Sequence, residues 1–386
     1  MRPTSVLALS TMLLTTYAMA VPQPHPSPPC RRPREAAVDA SSTVTFSHST
    51  THDVPIGADG PGSPSSGPSA VSGADSDARG RSRTRVEGSG NRGARIEGSG
   101  DGGPGVGGSG HGGVGAGSSD RSQVFSAEQS RVRAAMGAAG EPYSDWVRAG
   151  RRFLSFDSGG SGRAVEVIGD LEGAERIAVL VPGVSTRLAD FDRGLGGVAG
   201  RAPAVQARAV LAAARRADPG ARVAVVAWLG YEPPAGLDLE AARDLRALTG
   251  AGALSDFVRS LPRGAAVTVI GHSYGALVAG LAACRLARVH DIVALGAPGM
   301  GVRHADELGG ARVWSALAAD DWIRRIPQLR LGHLGHGRRP SAPAFGAVTL
   351  PTTGVRGHDG YLVPGTPTLA AVADIVVGRV PAAAAS

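Results

Sequence analysis

Ala265-Ala266-Val267-Thr268-Val269-Ile270-Gly271-His272-Ser273-Tyr274-Gly275-Ala276-Leu277-Val278-Ala279-Gly280 is the stretch that decides how this chain reads. Its first six residues are apolar or β-branched, as in a strand buried on both faces. From Ala276 to Leu286 the residues are small and apolar, Arg285 excepted, and predict a buried helix. Gly271-x-Ser273-x-Gly275 lies between them. Strand, sharp turn and helix with a serine at the apex make a nucleophile elbow. The serine of such a turn has a strained backbone, and the residues two before and two after it approach too closely for a Cβ. The pattern occurs once in the chain, although glycine and serine abound elsewhere.

The 386 residues suffice for one large domain with additional segments. All basic side chains are arginine, which reflects GC-rich coding rather than chemistry. The formal charge is +7, and residues 21–125 are neutral, so the excess is spread over the C-terminal part. No arginine run is interleaved with aromatics, which argues against a nucleic-acid partner. Cys30 lies in a low-complexity region and Cys284 on the helix after the elbow. The sequence predicts no disulfide between them and no cysteine-based metal site, with Cys284 a small core residue.

Met1-Arg2, an apolar run from Val6 to Ala20 and the exit Ala18-Met19-Ala20 have the form of a secretory signal over 1–20. The run is too short to span a bilayer comfortably. Residues 21–122 are rich in Pro, Ser and Gly. Arg85–Ala94, Arg95–Pro104 and Gly105–Val114 repeat one degenerate ten-residue pattern. Such a segment has little apolar bulk to offset its ordering entropy and reads as a disordered linker. In an exported protein it could space a domain from the cell envelope.

Order is expected from 123 to 386. Arg152–Phe156 and Ala164–Ile168 are strand candidates joined by a Gly-rich turn, an antiparallel edge. Arg176–Val181, Val223–Trp228, the elbow strand, Asp291–Leu295, Arg312–Ala319 and Gly346–Leu350 are further strands. Helices are predicted at Ala202–Arg216, at Leu239–Leu261 with a break around Gly250–Gly252, after the elbow, and at Thr368–Val377. Alternating short apolar strands and helices mean a mostly parallel sheet covered on both faces. About eight strands with the elbow after the fifth is the arrangement of an α/β-hydrolase fold.

A serine hydroxyl needs a base, and the base needs an orienting group. In this fold the partners follow in the order acid, then histidine. Asp320 and Asp321 both end the strand after Asp291–Leu295. Asp321 is preferred, because one residue and then an apolar one follow it; Asp320 would be solvated or cap a turn. His358, before the last helix, is the expected base. His333 and His336 have a spacing that suggests a metal, but no carboxylate accompanies them in sequence, so no metal is assigned. His272 reads as a packing residue. The oxyanion donors expected are the backbone N–H groups of Tyr274 and Val184, with Ser185 and Thr186 as possible side-chain donors. The short gap between Leu295 and Arg312 leaves no room for a cap domain, and Trp322–Pro343 should partly roof an open site.

Val179-Leu-Val-Pro-Gly-Val184, Gly271-His-Ser-Tyr-Gly275, Gly296-Ala-Pro-Gly-Met300, Asp321-Trp-Ile, Leu334-Gly-His-Gly337, Pro343-Ala-Phe-Gly346 and Gly357-His358-x-x-Tyr361 together resemble an actinobacterial α/β-hydrolase family long catalogued as a domain of unknown function. The resemblance runs from about Val124 to Val380 and implies a triad of Ser273, Asp321 and His358; it implies no substrate. The leading expectation is a secreted serine hydrolase of esterase type, free of cofactor, acting on a small-molecule or lipid-like ester. Amide hydrolysis or acyl transfer would use the same parts. The rival readings are a catalytically silent binding or cell-envelope module of the same fold, and an adhesin led by the repeat tail.

Overall fold

A computed structural model describes residues 116–381, with side chains from 127 onward. The expected signal segment and the linker as far as residue 115 fall outside the described residues. Eight strands form one sheet: β1 (Arg152–Asp157), β2 (Arg163–Ile168), β3 (Arg176–Val181), β4 (Val223–Leu229), β5 (Ala266–His272), β6 (Val289–Leu295), β7 (Arg312–Ala316) and β8 (Val348–Thr349). Their spatial order is β1-β2-β4-β3-β5-β6-β7-β8. β2 is antiparallel to both β1 and β4, and the other pairs are parallel.

Helices α1 (Ala116–Ala138), α2 (Tyr143–Arg148), α3 (Pro203–Ala217), α4 (Leu239–Ala242), α5 (Leu245–Ser260), α6 (Tyr274–Ala283) and α7 (Pro367–Val376) complete the fold. α1, α3 and α7 pack on one face of the sheet and α5 and α6 on the other. β4 is buried along its whole length. Its Val225, Ala227 and Leu229 join the first core, and Ala224, Val226 and Trp228 join the second. Successive side chains point to opposite faces, so a strand covered on both sides must be apolar throughout.

The parallel register positions the site. Val181 pairs with Gly271, His272 with Leu295, and Leu295 with Ala316. The loops leaving β3, β5, β6 and β7 therefore emerge at one edge of the sheet, and they carry Gly183, Ser273, Gly296 and Asp321.

Several local expectations are corrected. α1 begins at Ala116, inside the stretch read as linker, while its buried residues Val132 and Met136 lie in its second half. The break in the helix after β4 falls at Arg243–Asp244 rather than at Gly250–Gly252. Gly250 stays helical and faces Tyr231, whose ring would lie 2.8 Å from a Cβ there. The last strand is only Val348–Thr349. Cys284 is half-buried rather than a fully buried core residue; Cys30, the other cysteine of the chain, lies outside the described residues.

Candidate active site

Ser273 stands between β5 and α6 with φ 56° and ψ −123°, a backbone conformation that few non-glycine residues adopt. The surroundings over-determine it. A Cβ on Gly271 would lie 2.5 Å from the Ala276 Cα, and one on Gly275 would lie 2.2 Å from the Val181 carbonyl oxygen. Side chains at either place would push β5, α6 and β3 apart. The Ser273 N–H donates to the Leu295 carbonyl at 2.9 Å, which fastens the turn to the end of β6.

His358 and Asp321 meet at the same sheet edge. The imidazole Nδ1 is 3.0 Å from both carboxylate oxygens of Asp321. The Asp321 side chain is fully buried. It also accepts the Ile323 N–H at 2.9 Å and the Tyr361 hydroxyl. Burial pushes the carboxyl upward, but the hydrogen bonds from His358, Tyr361 and Ile323 outweigh it and hold it below its ordinary value. Asp321 is therefore ionised at neutral pH. Tyr361 is kept protonated by burial and by the adjacent Asp321, and its oxygen accepts the Ala318 N–H at 3.1 Å.

Asp320 accepts the Gly357 N–H through both carboxylate oxygens at 3.0 Å. It holds the loop that carries His358 rather than serving only as a solvated turn residue. Arg201 and Asp359 tie the other side of that loop at 2.8 Å.

The second imidazole nitrogen of His358, Nε2, is buried and makes no hydrogen bond, to Ser273 or to any other described residue. The Ser273 hydroxyl lies against the loop after β3, where a Cβ on Gly183 would be 3.3 Å from Oγ. That loop is pinned from outside. Tyr231 donates to the Pro182 carbonyl at 2.7 Å, the Ser185 N–H to Pro234 at 2.8 Å and the Ser185 hydroxyl to Ala235 at 3.0 Å. Ser185 is thereby spent as a donor. Tyr274 is the first residue of α6, where N–H groups lack an intrahelical acceptor.

His272, expected only to pack, has a more specific place. Its Nε2 donates to the His358 carbonyl at 2.8 Å, and the two rings lie 4.7 Å apart. Burial, with the neighbouring His358, lowers its pKa from 6.5 to about 4. His272 is thus neutral where the unfolded chain is half-protonated. The unfolded state binds more protons between those values, so this contribution is complete above pH 6.5 and is lost as pH falls toward 4. Acid thermal denaturation checks it. The wild type should lose about 3 kcal/mol more than His272→Gln between pH 7 and pH 4; parallel curves would contradict the assignment.

A cavity of about 560 Å³ opens beside His358. Trp322 and the half-exposed Val198 and Val363 give it apolar walls, and Arg325 and Arg356 are at its margin. Only the start of the expected roof, Trp322–Arg325, reaches it. His333 bonds Asp244 at 2.7 Å and His336 bonds the Ala241 carbonyl at 2.8 Å, so the later part of Trp322–Pro343 is fastened to the α4–α5 junction. Among the described residues no group of three His, Cys, Asp or Glu side chains is arranged to hold a metal.

Of the expected site residues, Asp321 and His358 are in contact, and Ser273 stands on the elbow at the same edge without a bond to His358. Sequence reasoning gave no role to Tyr361 or His272 at the site. The Gly357-His358-x-x-Tyr361 motif was the available signal for Tyr361, one loop turn from the histidine.

Comparison with known proteins agrees with this fold. Residues 157–331 match the model of a family described as alpha/beta hydrolase. The match includes Ser273 and Asp321 and ends before His358. An uncharacterized protein of Mycobacterium tuberculosis strain H37Rv, Rv2079, is 33% identical over 260 residues, covering 57% of this chain and 38% of the relative. A second one from that strain, Rv0963c, is 36% identical over 148 residues, covering 37% and 54%. The chain thus spans 38% to 54% of the length of these relatives. Among solved structures it is similar to a dienelactone hydrolase from Anabaena variabilis, at 19% identity and a TM-score of 0.34, covering 59% of this chain and 94% of that one. It is similar also to a lidless α/β serine hydrolase from Xanthomonas campestris, at 18% identity and a TM-score of 0.33, covering 60% and 96%.

Proposed function

We propose that this chain is an exported serine hydrolase that cleaves carboxylic esters through an acyl-enzyme. The observation that carries the reading is the buried Asp321–His358 pair, with an unbonded Nε2, beside a strained serine elbow.

Ser273 Oγ attacks the ester carbonyl and its proton passes to His358 Nε2. The Oγ–Nε2 bond forms as substrate enters, since catalytic hydrogen bonds are often open in free enzymes. Asp321 holds Nδ1–H, fixes the tautomer and stabilises the imidazolium. The N–H groups of Tyr274 and Val184 receive the oxyanion. The C–O bond to the alcohol then breaks as His358 returns its proton to the leaving oxygen. Water repeats the sequence, frees the acid and regenerates Ser273. These steps use side chains and backbone of the chain alone.

The apolar walls of the cavity suit an acyl chain or other lipid-like part. Export rests on the leader-like residues 1–20, with the Pro-, Ser- and Gly-rich stretch before α1 as a spacer toward the envelope. Among the described residues no helix is long and apolar enough to cross a membrane.

A panel of p-nitrophenyl esters of graded acyl length, with the matched anilides, tests the ester assignment. The expected result is turnover of esters with an optimum at one chain length, and at least about 100-fold slower anilide cleavage. Faster cleavage of the anilides would move the reading to amide hydrolysis.

A further inference from the structure

The residue after the nucleophile is held by its side chain as well as by its backbone. Tyr274 is buried. Its hydroxyl donates to the Arg243 carbonyl at 2.8 Å and accepts the Ala247 N–H at 3.1 Å. The two partners flank the α4–α5 junction, Arg243 in the break and Ala247 just after it. Ala247 lies in the first turn of α5, where an N–H has no acceptor within the helix. An N-cap side chain ordinarily satisfies such a group. Here the N-cap residue is Asp244, and its carboxylate makes no capping bond. The Tyr274 oxygen takes that place.

The carboxylate of Asp244 is used elsewhere. It is fully buried and accepts from Arg330 and from His333 Nδ1, each at 2.7 Å. Arg330 also donates to the Gly301 carbonyl. The Asp244 N–H donates to the His333 carbonyl at 3.0 Å, and the Gly335 N–H to Ala242 at 2.8 Å. The strap of residues 329–337, whose histidines look in sequence like a metal pair, is thus a splint on the α4–α5 break. The break, so splinted, is the anchor of the Tyr274 hydroxyl.

We propose that the Tyr274 hydroxyl is a positioning group for the reaction: anchored to the Arg243–Ala247 junction and splinted by Asp244 and Arg330, it fixes the direction of the Tyr274 backbone N–H toward the developing oxyanion. The proposal rests on Ser273 being the nucleophile. A donor aimed at the transition state acts on kcat, because its gain is realised after substrate has bound. Removing one oxyanion donor outright costs on the order of 10²–10³ in kcat, so loosening its tether should cost about tenfold.

Tyr274→Phe removes the hydroxyl and keeps the ring. Arg330→Gln removes the splint from a partly exposed position. Both are made in the full chain and compared with wild type in p-nitrophenyl ester kinetics, fluorophosphonate labelling rate and thermal midpoint. The expected result for Tyr274→Phe is a kcat lower by about tenfold with KM within about twofold, and labelling that slows in parallel yet reaches completion. Arg330→Gln should move the same quantities in the same direction by a smaller factor. A lowered thermal midpoint with wild-type kcat and labelling rates would make the contact purely structural and overturn the proposal. Should Tyr274→Phe fail to fold, an unchanged kcat in Arg330→Gln overturns it alone. A wild type that takes no label and turns over no ester would instead remove Ser273 as nucleophile, an outcome visible before either variant is measured.

Discussion

Asp321→Asn should lower ester turnover by about 10³- to 10⁴-fold in a protein that remains folded, the loss found when the orienting carboxylate of a Ser-His-Asp triad becomes an amide. The effect is large because this carboxylate is an acceptor toward three donors at once: His358 Nδ1, the Ile323 N–H and the Tyr361 hydroxyl. An amide offers one acceptor oxygen. Its NH₂ group must face a donor, and the cheapest relief is for His358 to change tautomer and carry its proton on Nε2. The base is then blocked toward Ser273. KM should change little, because nothing that binds the ester has been removed. Asp320→Asn is the control. Among the described residues its carboxylate accepts the Gly357 N–H, a bond that an amide oxygen can keep, so a loss of no more than about tenfold is expected. Steady-state kinetics on a p-nitrophenyl ester, with circular dichroism of both variants, check the pair. Equal losses at the two positions would contradict the assignment of Asp321.

What the sequence disclosed, and what it hid, follow from the range of the interactions involved. The elbow is a local constraint: Gly271, Ser273 and Gly275 must be these residue types because their neighbours are within a few residues or on adjacent strands. Continuous apolar strands revealed the doubly covered sheet, and the Gly-rich turn at 159–162 revealed the β1–β2 hairpin. Asp321 was separable from Asp320 by the shape of its turn, since it caps the short helical segment beginning at Trp322. The α4–α5 break was not separable. Gly250 and Gly252 are the local breakers in that helix, but the break is made at Arg243–Asp244 by partners from far along the chain: Tyr274, Arg330 and His333. The same distance hid the role of the two strap histidines and the contact between His272 and the His358 carbonyl. No local pattern marks a contact that only the fold brings about.

Ser273→Ala should abolish both turnover and covalent capture, the second large effect expected of this site. The serine oxygen forms a bond to phosphorus of a fluorophosphonate and fluoride departs, while the hydroxyl proton passes to His358. Unactivated serines do not react in this way at a comparable rate, so the adduct reports the activated hydroxyl rather than the mere presence of a serine. Alanine removes the oxygen and keeps the Cβ, so the elbow is expected to persist. The most direct measurement is therefore intact mass after fluorophosphonate treatment of wild type and Ser273→Ala, followed by peptide mapping. One adduct per chain, mapped to Ser273 and missing from the variant, is the predicted result. A folded wild type that takes up no label, or one whose adduct survives in Ser273→Ala, would contradict the account.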